Sequence, residues 1–218
     1  MTGKVRVKIC GIRRLADGLL AARLGADAIG VLVGQAHPSG DFVTPEAAAT
    51  ILGSLPPFVS GVLVSHWQDP LALQELVGLV RPAVLQLHSE ISTQNVRKLR
   101  QARPGLTLLK AIHISSGMEL ESIASYVQWV DGFVADSSNP LTGQVGGTGL
   151  THDWALTAEL EAQLGKPLLL AGGLTPLNVG AAIARVQPYG VDVNSGVKGA
   201  DGFKDGALLE QFIQAAAG

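Results

Sequence analysis

The chain has 218 residues, of which 47% are hydrophobic and 16% charged. That is long enough for a sizeable core and short, though sufficient, for one α/β barrel domain spanning residues 1–218. A net charge of −2 gives no electrostatic case for nucleic acid or an anionic membrane. The lone cysteine, Cys10, excludes an internal disulfide and makes a reducing cytoplasm the natural compartment.

In chain order, Val5 to Cys10 reads as a first strand, entered at once with no signal-peptide pattern before it. No apolar run approaches the roughly 20 residues that span a bilayer. Arg14 to Leu24 has helical periodicity and closes on Gly25. Ala28 to Val33 is a β-branched apolar run, followed by a polar loop from Gly34 to Asp41. Thr44-Pro45-Glu46 places a capping hydroxyl before a proline at the first helical position, and that helix runs to about Leu52.

Phe58 to Val64 is the third strand and Pro70 to Leu79 the third helix. Ala83 to Leu87, a helix from Ser92 to about Ala102, Thr107 to Ile112, a helix from about Met118 to Val127, and Val130 to Ala135 continue the alternation. A long Gly-rich loop follows, then a helix near Ala155 to Leu164. Leu168 to Ala171 and Gly190 to Val193 are the last strands, separated by a helix with Pro176 in its first turn, and Asp205 to Ala217 is the last helix.

Eight strand–helix pairs recur at a spacing of about 25 residues. Near-continuous apolar strands, each followed by a helix, imply parallel strands buried on both faces. Eight of them suggest a closed (β/α)8 TIM barrel, a single α/β domain. A doubly wound sheet is the rival, and no GxGxxG follows the first strand.

Ligands of such barrels sit at the C-terminal ends of the strands. Cys10-Gly11, the loop with Gln35, His37 and Asp41, Ser65-His66, Gln86 and His88, Lys110 and His113, and Asp136 all fall there. So do Gly172-Gly173 and Asn194-Ser195-Gly196 after the last two strands. Two consecutive strands ending in small residues suit a phosphate grip, because glycine lets backbone N–H groups approach an anion. Two ordinary strand-to-helix turns read the same way.

Cys10 is either a small buried hydrophobe or, beside charged neighbours, a base or nucleophile. Asp136 ends an apolar strand. It is either a turn cap or a carboxyl whose pKa burial raises to suit general-acid work. Facing each other across a phosphate-anchored sugar, the two suit an aldose–ketose isomerisation. The five histidines show no HxH or HExxH spacing, so no metal is expected. His88 is expected to orient ligand or structure, and His113 to be solvated. Lys8 and Lys110, inside strand runs, either line the mouth or snorkel outward.

At the level of whole motifs the chain resembles the phosphoribosylanthranilate isomerase family of tryptophan biosynthesis. The resemblance rests on KICGI at Lys8 to Ile12, GADAIG at Gly25 to Gly30, QLH at Gln86 to His88 and GGTG at Gly146 to Gly149. AGGLTPLNV at Ala171 to Val179 and YGVDVNSGV at Tyr189 to Val197 complete it. It implies a (β/α)8 barrel and an Amadori rearrangement of an aminoaldose phosphate to an aminoketose phosphate, with no metal or organic cofactor. It implies Cys10 as the base that takes the C2 proton and Asp136 as the acid that protonates the furanose oxygen. Gly172, Gly173, Ser195 and Gly196 match the phosphate loops, with Gly147, Gln86, His88 and Asp41 as further ligand contacts. The expected partner is a small phosphosugar, on a monomer or homodimer.

Two departures stand out. The family carries an arginine in the loop after the second strand that meets the anthranilate carboxylate, and here Asp41 stands in its place. A carboxylate facing a carboxylate is repulsive; His37 or Arg13 are the substitutes in reach. The family's SSGVE also becomes Asn194 to Lys198, a base for an acid. Three functions stay open: the anthranilate isomerase, an isomerase of another N-glycosyl phosphosugar, and a non-catalytic phosphosugar-binding paralogue. Indole-glycerol-phosphate synthase, a related barrel, lacks the thiol–carboxyl chemistry.

Overall fold

A computed structural model describes residues 4–35, 39–114, 123–137 and 153–218. Eight strands form a closed barrel in sequence order: β1 (Arg6–Ile9), β2 (Ala28–Leu32), β3 (Ser60–Ser65), β4 (Val84–Leu87), β5 (Thr107–Ile114), β6 (Gly132–Ser137), β7 (Leu168–Leu170) and β8 (Gly190–Val193). Every neighbouring pair is parallel, and β8 closes on β1. The described helices are α1 (Leu15–Leu24), α2 (Pro45–Gly53), α3 (Pro70–Val80), α4 (Thr93–Ala102), α5 (Trp154–Leu164), α6 (Val179–Val186) and α7 (Gly206–Ala217).

Five of the seven described helices start where a side chain accepts from their first N–H groups. Thr44 Oγ1 accepts from Ala47 N at 3.2 Å with Pro45 next in line. Asp69, Ser92, Asp153 and Asp205 cap α3, α4, α5 and α7 in the same way. Most of the helix expected between Met118 and Val127 lies outside the described residues; Ile123 and Ala124 are helical and a turn follows. Among the described residues, no helix is long and apolar enough to cross a membrane.

Two expectations shift. The third strand begins at Ser60, because Phe58 takes a left-handed φ of 70° after Pro56-Pro57 and is fully exposed. The fifth strand runs on to Ile114, so His113 lies inside it, opposite Asp136 in register. His113 is therefore half-buried rather than solvated, with Nε2 3.1 Å from the His88 carbonyl oxygen.

Side chains alternate along each strand between the barrel lumen and the helix layer. Val7, Ile9, Leu85, Leu87, Leu168, Leu170, Val191 and Val193 join the large core between sheet and helices. The lumen holds separate small clusters, one of Leu109, Ala111, Val134, Leu169 and Ala171, and one of Cys10, Val62 and Val64. Burying β-branched and leucine side chains in both layers stabilises the fold by about 1.5–3 kcal/mol per fully buried residue.

Candidate active site

The lumen changes from apolar to polar toward the C-terminal rim, in two steps of two residues. Lys8, Gln86 and Asp192 form an inner layer. Cys10, His88 and Asn194, each two positions further along the same strands, stand above them. The period of two in a strand is what turns a sequence separation into a vertical stack.

Lys8 and Asp192 are register neighbours on β1 and β8, and their side chains meet at 2.6 Å. Lys8 Nζ also donates to Gln86 Oε1 at 2.7 Å. Burial pushes the Lys8 ammonium down, but Asp192 and then Cys10 more than offset this, and its pKa stands above the ordinary value. Asp192 Oδ1 is buried with no hydrogen-bond partner. A buried ion pair with one unsatisfied oxygen contributes little to net stability, since desolvation cancels much of its Coulomb energy. Its position points to a different use: the charges of Lys8 and Asp192 reach both Cys10 and Asp136.

Cys10 follows β1 directly and is 8% exposed. Room for it comes from Gly30 on β2, where a Cβ would lie 2.8 Å from Cys10 Sγ and 3.1 Å from Lys8 Cε. Burial pushes the thiol up to about 11; Lys8 and Lys204 pull it down and Asp192 pushes it up. Asp136, near the end of β6, is also buried, and that burial raises its carboxyl to about 7. The Ser137 N–H, donating to Asp136 Oδ1 at 2.7 Å, holds it from going higher.

His88 Nε2 lies 3.9 Å from Asp136 Oδ2. Burial, then His113 and His66, hold His88 well below its ordinary pKa, so this is a neutral imidazole beside a carboxyl and not an ion pair. His66 stacks on His88 with centroids 4.9 Å apart, and His113 meets its edge at 5.3 Å. Lys110 is buried toward the helix layer, its ammonium bonded to the Ala111 carbonyl and 5.6 Å from the Tyr126 ring. Lys8 therefore faces the site and Lys110 does not.

The loops after β7 and β8 touch. Gly172 and Gly173 take consecutive positive φ angles of 81° and 63°, a path that L side chains resist. Asn178 fastens the loop, donating from Nδ2 to the Gly173 carbonyl at 3.0 Å and accepting from Thr175 N at 2.8 Å. Ser195–Val197 forms a short 3-10 turn after β8, in which a Cβ on Gly196 would lie 1.9 Å from the Leu174 carbonyl oxygen. The candidate phosphate residues Gly172, Gly173, Ser195 and Gly196 are thus brought onto two adjoining loops. Gly147 and His37 lie outside the described residues.

Asp41, expected to face the ligand, is paired within the chain. Its Oδ1 accepts from Lys198 Nζ at 2.5 Å and its Oδ2 from Asn194 Nδ2 at 2.9 Å. Burial favours the neutral acid, but these two contacts outweigh it and lower the Asp41 pKa. Asp41 and Lys198, the two positions at which the sequence was expected to depart from the family it resembles, form one ion pair. Arg13 does not fill the gap: its guanidinium donates to the carbonyls of Gly40 and Gly202 at 2.9 and 2.6 Å and lies over Phe203. Lys204 donates to Asn194 O and Oδ1 at 2.7 and 2.9 Å, and burial lowers it to about 8.

Asp192 and Lys204 were not expected at the site from sequence, and Asn194 only as part of the loop after the last strand. A signal for Asp192 existed: Lys8 in the first strand and Asp192 in the last are each flanked on both sides by apolar residues, in a barrel that must join those two strands. Among the described residues no group of three or more histidine, cysteine and carboxylate side chains is arranged to hold a metal ion.

The model of a family described as N-(5'-phosphoribosyl)anthranilate (PRA) isomerase matches residues 7–215. N-(5'-phosphoribosyl)anthranilate isomerase 2 of Methanosarcina mazei is 38% identical over 97% of this chain and 94% of its own. The Pseudomonas putida enzyme of that name is 41% identical over 97% of both chains. The crystal structure of phosphoribosyl anthranilate isomerase from Thermotoga maritima superposes with a TM-score of 0.84 at 34% identity, covering 97% of this chain and 98% of that one. A phosphoribosyl anthranilate isomerase in complex with reduced 1-(o-carboxyphenylamino)-1-deoxyribulose 5-phosphate superposes at 0.82 with 32% identity, over 97% and 98% of the two chains. With its barrel and nearly its whole length matched, the chain belongs to the N-(5'-phosphoribosyl)anthranilate isomerase family.

Proposed function

We propose that this protein converts N-(5'-phosphoribosyl)anthranilate to 1-(o-carboxyphenylamino)-1-deoxyribulose 5-phosphate, with Asp136 as general acid and Cys10 as general base. The observation that carries this reading is a buried thiol and a buried carboxyl at one rim of the barrel, both biased by the same Lys8–Asp192 pair. Asp136, at about 7, holds a transferable proton near neutrality. It gives that proton to the furanose ring oxygen as the C1–O bond breaks, and the nitrogen lone pair forms C1=N. Cys10 as thiolate then takes the C2 proton. The C2–H electrons form C1=C2 and neutralise the nitrogen, and the resulting enol tautomerises to the ketone. Lys8 and Lys204, cations close to the thiol, favour the thiolate that this step needs.

The phosphate belongs on the adjoining loops after β7 and β8, at Gly172, Gly173, Ser195 and Gly196, as in other barrels of this type. His88 and Gln86 orient the acid rather than move protons themselves. The substrate is a small phosphosugar, and a relative from Thermotoga maritima is described as dimeric, which makes a homodimer the assembly to test.

The test is loss of anthranilate-type fluorescence on mixing the protein with fresh N-(5'-phosphoribosyl)anthranilate. Turnover that disappears in Cys10→Ala and in Asp136→Asn, with inorganic phosphate still bound, supports the assignment. Near wild-type turnover in both variants overturns it.

A further inference from the structure

The rim above Cys10 carries two lysines against one aspartate. Lys198 and Lys204 lie on the two arms of a tight turn after β8, bridged to each other as antiparallel partners and closed by Gly199 N to Phe203 O at 2.8 Å. Asp41 reaches them from the loop after β2, and Asn194 sits between, giving Nδ2 to Asp41 and taking Lys204 on O and Oδ1. The cluster has an excess of one positive charge whenever Lys204 is protonated. A ligand carboxylate would complete its neutralisation.

Of the cations there, one has the right surroundings to meet such a group. Arg13 has its guanidinium engaged by two carbonyls and an aromatic ring. Lys204 is 7% exposed and uses two N–H groups on Asn194, under the rim beside Cys10. Lys198 is 21% exposed at its side chain and, among the described residues, uses one N–H, on Asp41. Two donors remain on an ammonium at the mouth, held in place by a carboxylate that cannot itself approach an anion.

We propose that Lys198 is the specificity residue that receives the carboxylate of the substrate's aromatic amine, with Asp41 holding its ammonium in position. This rests on the isomerase reading. The cation for that carboxylate then comes from the loop after β8, while the loop after β2 contributes the anion that positions it. The same short stretch, Ser195 to Lys198, would serve both ends of the substrate: phosphate at Ser195 and Gly196, carboxylate at Lys198. That explains how Asp41 is compatible with an anthranilate substrate.

The test is calorimetric binding of the reduced product analogue 1-(o-carboxyphenylamino)-1-deoxyribitol 5-phosphate and of its counterpart lacking the carboxyl group. Turnover by the wild type is measured in parallel. Wild type should prefer the carboxylated ligand by about 10-fold or more. Lys198→Met, or Lys198→Gln as a second neutral variant, should bring the two affinities together by weakening only the carboxylated ligand. Lys198→Arg should keep the preference. A preference that survives in both neutral variants overturns the inference, as does equal weakening of both ligands. A wild type that shows the carboxylate preference but no turnover overturns the isomerase reading and not the role of Lys198 in binding.

Discussion

His88 Nε2 stands 3.9 Å from Asp136 Oδ2, and the direction of the His88 proton is set two residues earlier on the same strand. Lys8 Nζ occupies Gln86 Oε1, which turns the amide nitrogen toward His88 Nδ1 at 3.5 Å. Nδ1 then accepts, and the single ring proton lies on Nε2, facing the carboxyl. The inner layer of the lumen thereby orients the rim.

That orientation predicts the Nε2–H tautomer for His88 across the neutral range. Long-range nitrogen–proton correlation spectra of the labelled protein report it directly. Gln86→Leu should shift the population toward a mixture of tautomers, with turnover reduced about 10-fold and phosphate binding kept. An Nδ1–H ring in the wild type would contradict the arrangement.

A second prediction concerns pH. The base must be a thiolate and the acid a neutral carboxyl, yet burial sets the thiol at about 11 and the carboxyl at about 7. The pair is in that form in about one molecule in ten thousand between these values, a fraction fixed by their separation of about four units. Below pH 7 the thiolate fraction grows tenfold per unit while Asp136 stays protonated. Above 7 the gain in thiolate is cancelled by loss of the acid. So kcat/KM should rise steeply up to about pH 7 and then level off, until Lys204, at about 8, loses the charge that favours the thiolate. A fall that already begins at pH 7 would mean that the thiol is ionised near neutrality, well below 11.

The same raised carboxyl acts on stability. Asp136 is protonated when folded up to about 7 but ionised in the unfolded chain from about 4. Its contribution is therefore fully present below pH 4 and is lost as pH rises through 7. Asp136→Asn should flatten the fall in Tm between pH 5 and pH 8, which calorimetric scans at fixed ionic strength would show. An unchanged slope would place the Asp136 pKa near that of an ordinary carboxylate.

Breaking the inner pair should be costly and mending it should not. Lys8→Met leaves Asp192 buried without the ammonium that pairs its Oδ2 and with Oδ1 already unpartnered among the described residues, a loss of about 3–5 kcal/mol. Lys8→Met with Asp192→Leu removes the uncompensated charge and should recover most of the Tm. Turnover should remain low in both, because the bias on Cys10 and Asp136 is gone. Chemical denaturation and kinetics on the three proteins separate the two effects.

The contact between the last two loops gives a further test. Alanine at Gly196 would drive a methyl group into the Leu174 backbone, while alanine at Gly53 meets nothing within 4 Å. Gly196→Ala should weaken inorganic phosphate about 10-fold or more and cost about 1–3 kcal/mol of stability. Gly53→Ala, at the end of α2, should leave phosphate binding unchanged and cost no stability. Equal behaviour of the two would mean that the loops do not need this approach.

The barrel is legible in the residue pattern alone, because eight apolar runs separated by helices have few ways to bury both faces of each strand. The same pattern singled out Cys10 and Asp136, since a strand end in a parallel barrel points at one common rim. What it left open were the lateral relationships. Whether Lys8 or Lys110 faces the lumen depends on which phase of a period-two alternation each strand adopts, and both lie in equally apolar runs. Asp41 looked like an isolated anion because its partner is 157 residues away. Only closing β8 onto β1 brings Lys198, Asn194 and Lys204 beside Asp41, and joins two separate charged positions into one ion pair. Charge pairing between distant loops is a property of three-dimensional proximity, and no local pattern in the chain encodes it.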